Sequence, residues 1–93
     1  MEKIETLHLI EGNFSQEEAR DILMNIFFAK INFHRLRNLS SQERFGKQDE
    51  TAKKRIPELE KEIEKLLRVV SEAKSKNKRL ILTSEIEIYL SDD

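Results

Sequence analysis

The chain has 93 residues, 17 basic and 18 acidic, so its formal net charge is only −1 and bulk charge does not favour nucleic acid as a partner. It contains no cysteine, which excludes disulfide bonds, thiolate metal sites and thiol catalysis. No apolar run approaches the length that crosses a bilayer, and the amino terminus lacks the apolar core of a signal peptide. We therefore expect a cytoplasmic protein with no membrane contact.

The first predicted element is a strand over residues 3–11. Its apolar residues break the strict alternation of a strand with one buried face; they are Ile4, Leu7, Leu9 and Ile10. In an unbroken strand the two leucines would share one face and the two isoleucines the other. A β-bulge or apolar surroundings on both faces would explain the pattern. The Gly12-Asn13 dipeptide is a turn signal, so we expect the strand to stop there.

A long helix is predicted over residues 16–38. Ser15 followed by Glu18 is a capping box, in which the serine oxygen accepts a free backbone N–H and the glutamate bonds back to the serine N–H. The apolar residues of this helix cover more than half of its circumference, whereas a surface helix of a monomer usually has a narrower stripe. We therefore expect it to pack on two partners: the sheet and a second helix, or a second copy of the chain.

The second predicted helix covers residues 49–76 and follows a hairpin tip at residues 39–48. Its apolar residues alternate spacings of three and four: Ile56, Leu59, Ile63, Leu66, Val70 and Ala73. This run is short for a free coiled coil, so it favours a helical hairpin within one chain.

The position of Pro57 leaves two interpretations of where the second helix begins. A first-turn proline would make residues 40–56 a long connection, whereas a helix that begins near Asp49 would bend at Pro57. We favour the second interpretation, because Asp49 followed by Glu50 is typical of a helix N-terminus. At the other end, Asn77 is a candidate left-handed cap.

Residues 79–90 carry the clearest strand pattern in the chain. The even positions are aliphatic except for Ser84, and they comprise Leu80, Leu82, Ile86, Ile88 and Leu90. The odd positions are mostly polar or charged. Because successive side chains of a strand point to opposite faces, this segment predicts a strand with one buried and one solvated face.

Together these elements predict one α+β domain over residues 1–93 with the order β-α-α-β. Both helix ends opposite the tip connect to strands, so the two strands must be antiparallel if they pair. We expect a long antiparallel helical hairpin packed on one face of a small antiparallel sheet. A two-stranded ribbon is marginal by itself, so we also expect dimerisation to extend the sheet.

The sequence offers no catalytic or cofactor-binding motif. There are only two glycines, and therefore no phosphate-binding loop. The successive carboxylates of Glu58, Glu60, Glu62 and Glu64 stand two residues apart, so on a helix each points away from the next and a solvated face is the favoured interpretation. We predict a protein that is not an enzyme and holds no cofactor or metal. His8 is interpreted as an incidental surface histidine, since no second histidine stands at metal-ligand spacing.

Positive charge concentrates around the predicted tip. Residues 30–55 contain eight basic and three acidic side chains, a net charge of +5. Two sets of candidate interaction residues lie in this region. Lys30, His34 and Arg37 share one face of the first helix near the centre of its apolar stripe, where they could line a cleft or bind an anionic group; the second set, at the tip, is Arg44, Phe45 and Lys47. They could contact an anionic partner, but an ordinary solvated hairpin end is the favoured interpretation, because no aromatic stripe accompanies the charge.

The function expected from these patterns is that of a small protein-interaction or structural module acting as a homodimer with an unidentified protein partner. Met24 and Phe28 lie one helical turn apart, outside the main apolar stripe, and are the candidate dimer interface. The alternative is a nucleic-acid-binding or regulatory module that uses the basic tip. The sequence does not identify a partner or pathway.

Overall fold

A computed structural model describes all residues, 1–93. The chain forms strand β1 (Lys3–Phe14), helix α1 (Gln16–Phe45), helix α2 (Glu50–Ser75) and strand β2 (Leu80–Tyr89). The two strands pair antiparallel in a two-stranded sheet, and the two long helices pack against it as a hairpin. The predicted β-α-α-β architecture is therefore confirmed.

Two bulges in β1 explain its irregular apolar pattern. The strand register shifts between Lys3 and Glu5 and again between His8 and Ile10, so Ile4 and Leu9 are the extra residues. The second bulge brings Leu7, opposite Ile86, onto the same face as Ile10, opposite Ser84. The face assignment expected for an unbroken strand is therefore wrong, whereas the bulge offered as an explanation is present.

β1 also continues past the expected turn. Gly12 pairs with Leu82 and Asn13 with Ile81, so the dipeptide lies within the ladder and the strand ends at Phe14. The Phe14 ring covers Gly12, because a Cβ at position 12 would stand 3.1 Å from the ring atom Cζ. The glycine therefore serves close packing in the strand, and Ser15 alone connects β1 to α1.

α1 is longer than predicted. It ends at Phe45 instead of near residue 38, and the connection to α2 is residues 46–49 instead of 39–48. Gly46 has φ 66°, and its N–H donates to the Gln42 carbonyl at 2.9 Å, which is a left-handed glycine cap. Gly46 is thus a helix-ending signal and not part of a wide loop.

α2 begins at the predicted cap and contains Pro57. The Asp49 side chain accepts from the Ala52 N–H at 3.1 Å, and the helix continues through the proline to Ser75. Asn77 has φ 53°, and Lys78 N–H donates to the Ala73 carbonyl at 2.9 Å, so α2 ends in a Schellman-type turn. The interpretation in which the helix begins at Asp49 is therefore confirmed.

The buried core lies between the helices. Only seven residues are buried, and all are on α1 or α2: Ala19, Ile31, Ala52, Leu59, Leu66, Val70 and Ala73. Four of the buried α2 residues belong to the predicted apolar stripe. The fifth, Ala52, lies four residues before Ile56 and so extends that stripe toward the N-terminus of the helix. The molecule measures 50 × 32 × 15 Å, so its thin dimension holds one helical layer against one ribbon and leaves little interior.

The inner face of the sheet, which carries Leu80, Leu82, Ser84, Ile86 and Ile88, is only partly covered. Near the junction with the helices, Leu80 and Leu82 line a cavity of about 300 Å³ with Leu23 and Leu66 of the hairpin. Farther along, Ile86 is 41% exposed and the opposite Leu7 is 47% exposed. The one-sided pattern of β2 is present, but the hairpin shields the ribbon incompletely.

Neighbouring substitutions test this one-sided arrangement. We expect Leu82→Lys to lower the free energy of unfolding by at least about 2 kcal/mol, because it places an ammonium among apolar hairpin side chains. Thr83→Lys puts the same side chain on the solvated face opposite Glu11. This variant should change the free energy of unfolding by no more than about 0.5 kcal/mol. Urea denaturation measures both values, and equal losses would contradict the assignment of the faces.

Candidate interaction surfaces

The strand ribbon is attached to the hairpin at the pole opposite the tip. The Gln16 side-chain amide donates to the Ala73 carbonyl at 3.1 Å and to the Lys78 carbonyl at 2.9 Å. Arg79 Nε donates to Asn13 Oδ1 at 2.9 Å across the start of the sheet. These contacts connect the beginning of α1 to the end of α2 and position the ribbon relative to both helices.

The capping box lies at this same pole. Ser15 N–H donates to Glu18 Oε1 at 3.0 Å, and Glu18 N–H donates to Ser15 Oγ at 3.1 Å, as the sequence predicted. The bond from the Ser15 N–H is the main cause that holds the pKa of the Glu18 carboxyl below its ordinary value of 4.5, with smaller contributions from the Ser15 side chain and Arg79. The first turn of α1 is therefore stabilised most when Glu18 is ionised.

Each strand of the ribbon has one edge without a backbone partner. β1 pairs only with β2, so the outer edge of each strand presents free N–H and C=O groups. The outer face carries an ion pair between Lys3 Nζ and Glu87 at 3.6 Å and a contact between His8 Nδ1 and Glu85 at 3.7 Å. His8 thus faces a cross-strand carboxylate on the surface, with no second histidine beside it.

Large apolar side chains are exposed on both the ribbon and α1. On the ribbon these are Ile4, Leu7, Leu9, Ile81, Ile86, Tyr89 and Leu90, and Ile81 is 76% exposed. On α1 they are Phe28, Phe33, Leu36, Leu39 and Phe45. Single exposed apolar residues are ordinary, but a partly covered sheet face beside two free edges is a surface that other chains can pair with.

The two candidate interface residues on α1 differ in exposure. Met24 is half-buried, whereas Phe28 is 54% exposed. Phe33 is equally exposed on another side of the same helix, with its ring 5.6 Å from the Arg37 guanidinium carbon. Because Phe33 is five positions after Phe28, the two rings lie about 140° apart around the helix axis.

The tip brings together three of the six candidate interaction residues. Arg37, Arg44 and Phe45 line a cavity of about 250 Å³ together with Asp49. Asp49 N–H donates to Asn38 Oδ1 at 2.7 Å, so the chain returns to the level of Asn38 and the last two turns of α1 project beyond the helix pair. Lys47 is exposed in the connection and does not line this cavity.

Lys30 lies apart from the tip cavity. It lines a separate groove of about 490 Å³ between the helices, together with several charged residues of α2: Arg55, Glu58, Lys61, Glu62 and Lys65. Arg55 and Glu58 form an ion pair at 2.6 Å there. The groove therefore presents both signs of charge, and the six candidates do not form one anion-binding site.

His34 is a half-buried residue of α1. Its ring packs edge-on against Phe33, with 5.4 Å between ring centroids, and its Nδ1 is buried without a hydrogen-bond partner. The neighbouring candidates Lys30 and Arg37 are exposed. The three side chains thus share a region of the helix, but they occupy different environments.

Two features important to the surfaces were not among the predicted site residues. The Gln16 contacts join segments far apart in sequence, which no local pattern indicates. The exposure of Ile86 depends on how far the hairpin extends over the ribbon, although its alternation was visible in the sequence.

The chain matches no protein-family model, no curated protein and no solved structure. No group of three or more His, Cys, Asp or Glu side chains is placed so that it could hold a metal ion. Neither helix combines the length and the apolar composition needed to cross a membrane.

The capping box predicts a specific pH dependence. The pKa of Glu18 is lower in the folded chain than its ordinary value of 4.5. The ionised carboxylate therefore stabilises the fold fully at a pH above 4.5, and this stabilisation is lost as the pH falls through the folded pKa. Glu18→Gln retains an oxygen that can accept the Ser15 N–H but does not titrate. Its melting temperature should therefore fall less steeply than that of the wild type when the pH decreases from about 5 to 3.

Glu17→Gln is the matched control, since it removes the same charge from the same turn without touching the Ser15 bonds. Thermal melts followed by circular dichroism give the comparison. Parallel pH curves for Glu18→Gln and the wild type would contradict the role assigned to Glu18.

Proposed function

We propose that the protein is a non-enzymatic interaction module that acts as a homodimer. The observation that carries this proposal is that no residue of either strand is buried, although β1 and β2 carry many large apolar side chains. A two-stranded ribbon is marginal in water unless further strands or a helix cover its apolar face, and here that face is covered only in part. The isolated chain therefore leaves the sheet incomplete.

A second copy of the chain is the simplest partner that completes it. Both copies carry the same free strand edges and exposed apolar residues, and one self-complementary patch is enough for a two-fold dimer. The formal net charge of −1 gives little long-range repulsion between copies. Burying the exposed ring of Phe28, with Met24 beside it, would add apolar contact to the association.

The exposed apolar residues that this dimer does not use would remain for another protein, whose identity is open. The proposal includes no cofactor and no metal. The cytoplasmic location expected from the sequence stays a prediction.

Replacing Phe28 tests the dimer on α1. We expect wild-type protein at micromolar concentration to have about twice the monomer mass of 11.0 kDa by light scattering. Phe28→Lys should raise the dimer dissociation constant at least about tenfold, or about 1.4 kcal/mol, because an ammonium replaces a buried ring at the interface.

Phe33→Lys is the matched control, because Phe33 belongs to the same helix and is also 54% exposed. It should leave the dissociation constant close to the wild-type value. A monomer mass that stays unchanged on concentrating would contradict the homodimer, and equal weakening by both variants would remove Phe28 from the interface.

We propose nucleic-acid binding by the tip as the second candidate function. The observation that favours it is the exposure of Arg44, Phe45 and Lys47 at a projecting end of the molecule, within a stretch of net charge +5. Asp49 counts against it, since its carboxylate lines the same cavity. The homodimer remains the preferred function, because no row of exposed aromatic residues accompanies the basic charge.

A charge reversal at the tip tests this second function. If the tip binds nucleic acid, the wild type should bind a single-stranded oligonucleotide with an affinity that falls steeply with salt. Arg44→Glu/Lys47→Glu should abolish that binding without changing the melting temperature. Lys61→Glu/Arg68→Glu reverses the same amount of charge in the middle of α2 and should retain most of the affinity; absence of wild-type binding at low salt would exclude this function.

A further inference from the structure

We infer that the second copy pairs with the outer edge of β2, antiparallel, in a register centred on Ser84. The two ribbons would then form one four-stranded sheet in the order β1-β2-β2-β1. This inference rests on the homodimer proposed above and specifies its geometry.

The bulges distinguish the two free edges. β1 is interrupted by bulged residues at Ile4 and Leu9, and bulges kink an edge and interrupt its row of backbone donors and acceptors. β2 runs for ten residues and contributes no extra residue to its ladder with β1. The regular edge is the one that can accept another strand over its whole length.

Symmetry limits the possible registers. In a two-fold antiparallel pair, opposite residues point to the same face, so one residue of β2 must face its own counterpart. The central residue alone therefore defines which side chains are opposite each other along the entire strand.

The charges of β2 disfavour the registers centred toward its C-terminal end. A centre at Glu85 places that carboxylate opposite itself, and a centre at Glu87 does the same for Glu87. A centre at Ile86 places Glu85 of each copy opposite Glu87 of the other. Like charges directly opposite each other destabilise a strand pair, so all three registers are disfavoured.

A centre at Ser84 avoids every such clash and pairs the inner faces best. Leu80 faces Ile88 of the second copy, and Leu82 faces Ile86, so the apolar residues of the inner face meet only apolar residues or serine. On the outer face Thr83 faces Glu85, which lets a hydroxyl donate to a carboxylate.

The competing centre at Thr83 is weaker. It would keep Leu80 opposite Ile86 and place Arg79 opposite Glu87, but it puts Leu82 opposite Ser84 and Ile88 opposite the solvated Lys78, so the inner face has fewer apolar pairs. The Ser84 centre has one unfavourable outer pair, Ile81 with Glu87, but Glu87 already lies 3.6 Å from the Lys3 ammonium of its own chain. Because it has more apolar pairs on the inner face, the register centred on Ser84 is the favoured one.

The joined sheet would also bring the helices together. A two-fold axis perpendicular to the sheet keeps both inner faces on the same side, so both hairpins cover one face of the four strands. Ile86, which is 41% exposed in one chain, would then lie beside Leu82 of the second copy, close to the centre of the dimer.

Single cysteines test the register without interference, because the natural chain has none. At the central residue the two Cα atoms lie about 5 Å apart, within disulfide range. At the neighbouring positions 83 and 85 they are about 8 Å apart, beyond that range. Ser84→Cys should therefore form a reducible dimer on mild oxidation faster than Thr83→Cys, Glu85→Cys or the helix control Ser71→Cys.

Spin labels provide a second measurement that does not depend on disulfide formation. Labels attached to Glu87→Cys should give backbone positions about 20 Å apart for the Ser84 centre, and each one-residue change of the centre shifts this distance by about 7 Å. Glu87 is exposed, so this substitution should leave the fold of the single chain intact.

The outcomes separate this inference from the homodimer. Fastest cross-linking at position 84 with the expected label distance supports the register. A dimeric mass with fastest cross-linking at 83, 85 or 71, or with a label distance that fits another centre, overturns the register while the homodimer stands. A monomeric mass overturns both.

Discussion

Packing between the two helices is the interaction on which the rest of this structure depends. Every buried residue of the chain lies on α1 or α2, and the strands contribute none. The hairpin is therefore the only part of the molecule with a true apolar interior, and the ribbon is held in place mainly by its junctions with the helix ends and by partial cover. Changes that loosen the helix seam should affect the strands as well.

This dependence leaves the ribbon as the least covered part of the chain. α2 has an apolar stripe that α1 covers, and its other faces are mostly charged apart from the exposed Leu67 and Val69. The ribbon has no comparable cover, and its hydrogen-bonding capacity is used on only one side of each strand. A second copy of the chain would supply both apolar contact and backbone partners, which neither helix can provide.

The sequence predicted the architecture well because its strongest signals are local. The alternation of β2, the Ser15 capping box, the Asp49 cap and the left-handed Asn77 all act within a few residues, and the structure contains each of them. The end of α1 was misplaced because Gly46 was assigned to a loop instead of a left-handed cap. The bulges of β1 could be suspected but not located, since they depend on the partner strand.

The candidate site was less predictable, for a physical reason. Residues 30–55 are basic as a stretch, but helix geometry and the return of the chain at Asn38 divide them between a groove at Lys30 and the cavity at Arg44. The exposure of the sheet is set by how far one element extends over another, which is a property of tertiary packing and not of local pattern.

Amide hydrogen exchange in β2 at two protein concentrations tests the central claim most directly, because it reports the free strand edge itself. We predict that alternate β2 amides, those that point away from β1, exchange slowly when the protein is concentrated and rapidly when it is dilute. The amides bonded to β1 should depend much less on concentration. Outward-pointing amides that exchange rapidly at every concentration would contradict the account, since the edge of β2 would then have no partner.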